Sequence, residues 1–433
     1  MTVQYFKDIL SHLATLTSGT QWEGHLLCVG GCCRDMILGE EIKDVDMVVD
    51  LPEGGIRFVQ WLGDGGLLEG NPQLFPEFGT TKFHLRAFPE TELECVNTRK
   101  EAYPDFHSRN PVTGFGTLEE DCMRRDLTVN SLYIRVSDSV VVDPCGHGLD
   151  DIRGKVIRCT AEPGKSLYED PLRILRTARF AARLGWDIEP LTLEAMKSLH
   201  SRLMILTPAR VRGEIEKILL DRDPVRGLSI LRESGAIPEI FPEILPDREE
   251  DWAGSMGILG SLDHRDPERA WAAFLWQLHD PSRGGAMLER MGYSQKMKGR
   301  VVLLLSELRT LRSSGEITHS SVRRLHSRCR SEEAFLSLMA LGLAEEKTFP
   351  LPDGQGSICR TILSMTGKMK EEGSTLFDYR SPLDGDEVMR LMGLPPGKKV
   401  KECMDFLFDL CCENPLRTEE EFISALRKMT FDA

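Results

Sequence analysis

No apolar run in this sequence approaches the roughly 18 residues that a membrane-spanning helix needs, and no internal repeat or low-complexity tract interrupts it. Integral membrane and solenoid architectures are therefore not expected, and no membrane partner is. The stretch Met1–Leu10 lacks the charge-then-apolar pattern of a secretory leader, so a cytoplasmic protein is expected. Cysteine occurs twelve times, but never as two facing C-x-x-C pairs at zinc-finger spacing. Cys32-Cys33 and Cys411-Cys412 are vicinal, a poor geometry for disulfides, so buried free thiols are expected. Positive charge is also short: a net charge of -14 argues against a general nucleic-acid coat. Any work on RNA must draw on local basic clusters, and no DNA partner is expected. Two such clusters exist: Arg124-Arg125, and the set Arg173, Arg176, Arg179 and Arg183.

What is present is a 433-residue chain with the 41% hydrophobic and 28% charged content of a globular protein, long enough for two to four domains. Leu26–Val29, Val45–Val49, Leu93–Val96 and Val140–Val142 read as short strands. A helix fits Cys33–Leu38, closed by Gly39. From about residue 167 the periodicity is helical, with segments near 191–203, 208–220 and 224–234. Proline-rich punctuation marks a break at 236–248; helical segments resume at 267–279, 284–291, 296–312 and 331–346. A Pro/Gly/Asp-rich stretch, 349–356, precedes a last helical region.

Three constellations carry chemistry. The first is Gly30-Gly31-Cys32-Cys33-Arg34-Asp35 followed by Asp44-Val45-Asp46. On a strand Asp44 and Asp46 share a face, where two carboxylates suit Mg²⁺, while Val45 packs inward. Gly30 and Gly31 let backbone N–H groups approach a phosphate, and Arg34 adds charge. Glu94, on another predicted strand, is either a third carboxylate for a two-metal site or a solvent-facing edge residue. The second constellation, Asp121 to Asn130, sets Arg124, Arg125, Asp126, Thr128 and Asn130 together. It is equally readable as donors for a triphosphate and sugar hydroxyls or as a solvated turn. In the third, Glu169 to Phe180, Asp170 reads as a helix N-cap and Pro171 as the first helical residue. Arg173, Arg176 and Arg179 fall on one stripe, where like charges cost stability unless something anionic is bound.

In this order the three blocks resemble the class II tRNA nucleotidyltransferase and bacterial poly(A) polymerase family of the DNA polymerase β-like superfamily. Asp143–Ile152 is similar to the family's head-to-neck connector, about one residue longer, and Thr207–Leu219 to its final conserved helix. The likeness is strong over about 25–230 and faint beyond. It implies an α+β fold: a nucleotidyltransferase head over 1–148, a helical neck over 149–235, a helical body over 236–348 and a helical, tRNA-binding tail over 349–433.

The resemblance also implies roles. Asp44 and Asp46 would bind Mg²⁺; Glu94 stays a candidate catalytic carboxylate on the strand reading alone. Gly31, Arg34 and Arg125 would hold the incoming triphosphate, with Asp126 and Asn130 near the sugar; Gly30 is a nucleotide-binding candidate only through the close backbone approach that glycine allows. Asp170 and Arg173 would hydrogen-bond the base edge, and Arg176 and Arg179 would add nucleotide contacts. Tyr103–Thr117 looks like the flexible loop implicated in switching from C to A addition. The implied activity is CCA addition to the tRNA 3′ end from CTP and ATP. A poly(A) polymerase, a CC-only or A-only enzyme and an inactive RNA-binding relative are the alternatives. The paired basic residues of the poly(A) polymerases are replaced here by Thr80-Thr81. Leu278-His279-Asp280 resembles an HD phosphohydrolase core without its other ligands, and reads as a relic. Gly385-Asp386 with Gly393–Lys399 looks like the family's tail region.

Overall fold

The computed structural model describes residues 1–75, 79–102, 112–244, 248–312, 317–351, 356–373, 376, 377, 379 and 381–429. The predicted loop 103–117 lies mostly outside these residues. The chain divides into two compact units, Met1–Ile240 and Phe241–Ala433.

The first unit is built on a seven-stranded mixed sheet. Its strands are β1 (Leu26–Val29), β2 (Val45–Val49), β3 (Leu68–Phe75), β4 (Thr80–Leu85), β5 (Phe88–Asn97), β8 (Tyr133–Arg135) and β9 (Val141–Val142). The order is β3-β4-β5-β2-β1-β8-β9, with β2 and β5 parallel and the other pairs antiparallel. Between β5 and β8 a separate hairpin forms from β6 (Arg99–Ala102) and β7 (Val112–Phe115). Alternation sorts the side chains onto two faces. Leu26, Cys28, Val45, Met47 and Val49 join a large core. It is covered by the apolar stripes of α1 (Val3–Thr17) and α3 (Gly54–Asp64). Leu27, Val29 and Val48 face the other way and pack on Tyr133 and Cys122.

Local rules place the short helix α2 (Gly31–Leu38). Gly30 at its N-cap has φ 84° and Gly39 closes it at φ 71°, both left-handed values that favour glycine. The sequence reading began this helix at Cys33; the structure starts it two residues earlier, so the Gly-Gly turn is itself the helix entrance. Strands β3 and β4 were not anticipated. In β4 the signal was present, since Thr81, Phe83 and Leu85 alternate as buried residues. Strand β3 is mostly exposed and irregular between Glu69 and Gln73, so it carries no clean period.

Then come α4 (Leu118–Met123), α5 (Gly148–Gly154), α6 (Pro163–Glu169), α7 (Leu172–Leu184), α8 (Pro190–Leu199), α9 (Pro208–Leu220), α10 (Pro224–Glu233) and α11 (Ala236–Ile240). A two-stranded parallel ribbon, β10 (Val156–Ile157) with β11 (Asp187–Ile188), sits among them. Proline opens α6, α8, α9 and α10, where its missing N–H leaves no helical acceptor unpaired. Asp170 does not occupy the expected N-cap: α7 starts at Leu172 with Pro171 as the cap. The Asp170 carboxylate still accepts from the Leu172 N–H at 3.2 Å, so it serves the helix start from one residue further out.

Among its described residues the second unit is helical: α12 (Glu249–Gly260), α13 (Pro267–Leu275), α14 (Pro281–Arg290), α15 (Gln295–Arg312), α16 (His319–Cys329), α17 (Glu332–Thr348), α18 (Ile358–Glu371), α19 (Gly385–Met392), α20 (Lys398–Glu413) and α21 (Glu419–Arg427). Phe241, Trp271 and Phe274 form an edge-to-face aromatic group there. The HD-like dipeptide has a structural account: Asp280 caps α14 through Ser282, and His279 pairs with Asp251 at 2.7 Å. No described helix is long and apolar enough to cross a membrane, and none of the twelve cysteines is in a disulfide.

One close approach fixes α3 on the sheet. A Cβ on Gly55 would stand 2.7 Å from the Val96 carbonyl carbon and 2.8 Å from its Cα, both backbone atoms. Gly55→Ala is expected to destabilise the first unit by about 1–3 kcal/mol through this overpacking. Urea unfolding of the variant measures it.

Candidate active site

The sheet register aligns one row across four strands, with polar groups on three of them. Val29 of β1 stands opposite Asp46 of β2, Asp46 opposite Glu94 of β5, and Glu94 opposite Lys82 of β4. Cross-strand partners share a face, so Asp46, Glu94 and Lys82 form one row, with Asp44 two residues before Asp46 on that face. The Val45 side chain between the two aspartates is buried, as the alternation requires.

These carboxylates differ in how they are neutralised. Lys82 lies 2.7 Å from Glu92 and 3.8 Å from Glu94. Asp44 and Asp46 have no ion-pair partner among the described residues. The Asp46 carboxyl is pushed up to about 7, first by desolvation in the cleft, then by the Cys32 thiol and the Glu94 and Asp44 carboxylates, against the pull of Arg125. An acid held this high by burial and by neighbouring acids would be relieved by a cation, and two carboxylates without an ion-pair partner among the described residues are hard oxygen donors that suit a divalent ion. Among the described residues no three His, Cys, Asp or Glu side chains already converge as a closed metal cluster.

The Gly30 turn runs beside this pair. A Cβ at Gly30 would lie 3.8 Å from Asp46 Oδ2 and 3.9 Å from the Asn130 carbonyl, so the turn passes between them. One turn into α2, the buried Arg34 donates to Asp35 at 2.8 Å and to Asn130 Oδ1. Asn130 donates in turn to Asp126 at 3.4 Å.

The arginines are held by acids. Asp121, fully buried on α4, takes Arg124 at 2.6 Å and Arg125 at 2.9 Å, and accepts the Tyr133 hydroxyl at 2.7 Å. Burial alone would raise the Asp121 carboxyl, but Arg125 and Arg124 bring it down to about 2. Asp126 takes Arg176 at 2.6 Å and Glu214 of α9 takes Arg179 at 2.7 Å. Burial opposes both acids' charges, yet these arginines hold both carboxyls below their ordinary values. Phe180 lies beneath three of the guanidiniums, at 4.3 Å from Arg179, 5.3 Å from Arg34 and 5.6 Å from Arg176.

This network corrects the reading of the α7 stripe. Arg173, Arg176 and Arg179 are not a repelling row awaiting an anion. Arg173 donates to Ser166 at 2.6 Å and to the Arg124 carbonyl, and the other two have their own acids. Spacing within one helix shows which positions share a face, but not that Asp126 and Glu214 arrive from elsewhere. Glu214 and Asp121 sat unassigned inside quoted motifs; Glu214 is 35 residues from Arg179 and gave no local signal, whereas Asp121 lies only three and four residues before Arg124 and Arg125, a local spacing that could have found it.

Two cavities meet at Lys43, Asp44 and Asp46. The smaller, about 240 Å³, is lined by Gly30, Gly31, Arg34, Arg125, Asp126, Asn130 and Arg176, and also by Phe180 and Arg183. The larger, about 930 Å³, is lined by Lys82, Glu92 and Glu94. Asp170, Arg173 and Arg179 line neither. Asp170 pairs with Arg210 at 3.1 Å.

Known proteins match this chain in sequence and fold. The family described as Poly A polymerase head domain matches residues 26–158, and the one described as Probable RNA and SrmB- binding site of polymerase A matches 185–247. The CCA-adding enzyme of Streptococcus pneumoniae (strain CGSP14) is 32% identical over 298 residues, 67% of this chain and 69% of the relative. That of Limosilactobacillus reuteri (strain DSM 20016) is 33% identical over 202 residues, 46% of this chain; there the chain spans about half of the relative, 47%. In fold, the Bacillus stearothermophilus CCA-adding enzyme, solved in complex with CTP, superposes with a TM-score of 0.71 at 20% identity, covering 99% of this chain and 98% of that one.

The Asp121 clamp sets an acid limit. Its carboxyl is lowered on folding, so its contribution is complete above about pH 4 and is lost as pH falls toward about 2. Asp121→Asn is expected to cost about 3–5 kcal/mol at pH 7, because two guanidiniums lose their buried partner. The gap to the unaltered chain should close between about pH 4 and pH 2 in denaturant melts; a gap constant across that range would contradict the pairing.

Proposed function

Because the chain belongs to the CCA-adding enzyme family, we propose that this cleft adds C, C and A to the tRNA 3′ end from CTP and ATP. Each step is attack by the RNA 3′-OH on the nucleotide's α-phosphate, releasing pyrophosphate. The observation that carries this reading is the pair Asp44 and Asp46, without an ion-pair partner among the described residues and placed between two cavities, one of them lined by arginines that the protein has already oriented. Relatives named for CCA addition, and one solved with CTP, support the choice of substrates.

Divalent metal use is general in this family. Asp44 and Asp46 would hold Mg²⁺, with Glu94 beside them in the strand row. Bound there, the ion supplies Lewis-acid stabilisation of charge on the reacting phosphate. The chain's own groups do the positioning. In the smaller cavity the Gly31 backbone, Arg34 and Arg125 take triphosphate oxygens, while Asp126 and Asn130 face the sugar. Arg125 is locked by Asp121 and Tyr133, so its fork costs little ordering on binding. The larger cavity, with Glu94 on its wall, receives the RNA 3′ end.

Asp170 and Arg173 read the base edge in this account. The Asp170–Arg210 pair is partly exposed, a weak contact that a base can replace. Arg173 must exchange its bonds to Ser166 and the Arg124 carbonyl to do so. Arg179, buried on Glu214, supports Phe180 and the α7 face instead of touching the nucleotide directly. Twelve cysteines outside any disulfide fit a reducing compartment, so a cytoplasmic location belongs to the same reading.

The poly(A) alternative is disfavoured at β4. Thr81 is fully buried and donates to the Cys95 carbonyl at 3.0 Å, a position where a lysine or arginine would bury its charge. The test is incubation of the chain with tRNA ending at the discriminator base, with CTP and ATP together and singly. Addition of C, C and A followed by arrest is expected. A long ladder of A without CTP use would overturn the reading in favour of polyadenylation. Extension only of tRNA already ending in CC would replace it with an A-adding enzyme.

A further inference from the structure

Five cations line the smaller cavity: Arg34, Lys43, Arg125, Arg176 and Arg183. Three are spent on protein acceptors: Arg34 on Asp35, Arg125 on Asp121, and Arg176 on Asp126. Among the described residues, Lys43 and Arg183 have no ion-pair or hydrogen-bond partner. Arg183 follows Arg176 by seven residues and Phe180 by three on α7, so the three share the helix face that lines the cavity. Its seat in the last turn of α7 suits any cation, because the helix dipole is negative there. That dipole, however, occupies none of the five directional donors of the guanidinium.

We propose that Arg183 grips the polyphosphate of the incoming nucleotide, with Lys43 facing the same anion beside the Asp44–Asp46 pair. This rests on the nucleotidyl-transfer reading and adds to it a residue outside the three sequence constellations. The chemistry recognised is a phosphate oxygen cluster, for which a planar fork is suited. Such oxygens come either from the nucleotide or from the RNA backbone. The cavity favours the nucleotide: its volume of about 240 Å³ suits a small anion, and its wall includes the Gly30-Gly31 turn and Arg125.

The experiment uses the full chain and inorganic pyrophosphate as the direct probe, measured by calorimetry, beside steady-state transfer to tRNA. Arg183→Ala is expected to weaken pyrophosphate binding about tenfold, the scale of one charge-assisted contact. It should raise KM for CTP and ATP by a common factor, more than it lowers kcat. Arg183→Lys should recover part of the loss, and binding of CMP and of tRNA should change less than twofold. Unchanged pyrophosphate affinity with a raised KM for tRNA would overturn the proposal and assign Arg183 to the RNA backbone. Equal losses in the Ala and Lys variants, tracking their melting temperatures, would also overturn it and leave a helix-end role. If the unaltered chain transferred no nucleotide, the transfer reading would fail, while the pyrophosphate response of Arg183→Ala would still decide this one.

Discussion

Two carboxylates with no ion-pair partner among the described residues, Asp44 and Asp46, set the terms for everything around them. The sheet register brings Glu94 beside Asp46, and burial, reinforced by the neighbouring acids, holds the Asp46 carboxyl near 7. Such a site carries an electrostatic cost in the isolated protein, and a bound divalent ion relieves it. The fold sustains the cost because the strands on both sides of Asp46 are packed on a large core. Stability comes from the sheet and its covering helices, and the strain is confined to one end of β2.

The arginines answer a different problem. A cleft meant for a triphosphate needs positive charge, but loose arginines would lose side-chain entropy at each binding event. Here Asp121, Asp126 and Glu214 hold Arg124, Arg125, Arg176 and Arg179 in fixed forks. Phe180 gives three guanidiniums a common apolar floor. The arrangement is preorganised, with charge aimed before the ligand arrives. Its cost is that these acids are buried, so losing any one strands a guanidinium. The net charge of -14 is compatible with this economy, since the positive field is needed only within the cleft.

Much of this was legible in the sequence where the rule is local. Strand alternation assigned Asp44 and Asp46 to one face, a closing glycine located α2, and helical periodicity located α8, α9 and α10 to within a few residues. The order of the three motif blocks carried the family likeness. What depends on distant pairing was not legible. The α7 arginines were read as a repelling stripe because Glu214 lies 35 residues from Arg179 and Asp126 lies 50 from Arg176. Strand β3 escaped because an irregular, exposed strand has no period to find. Asp280 looked like a ligand remnant, whereas its carboxylate is engaged as a helix cap.

The central claim is that Asp44 and Asp46 bind a divalent ion together with the nucleotide in the adjoining cavity. Calorimetric titration of a non-hydrolysable CTP analogue, with and without Mg²⁺, tests it most directly on the unaltered chain and on an Asp44→Ala/Asp46→Ala variant. The account predicts Mg²⁺-dependent binding that weakens by about 10–100-fold or more in the variant, while tRNA affinity stays within a factor of two. Mg²⁺-dependent CTP binding of equal strength in both proteins would contradict it.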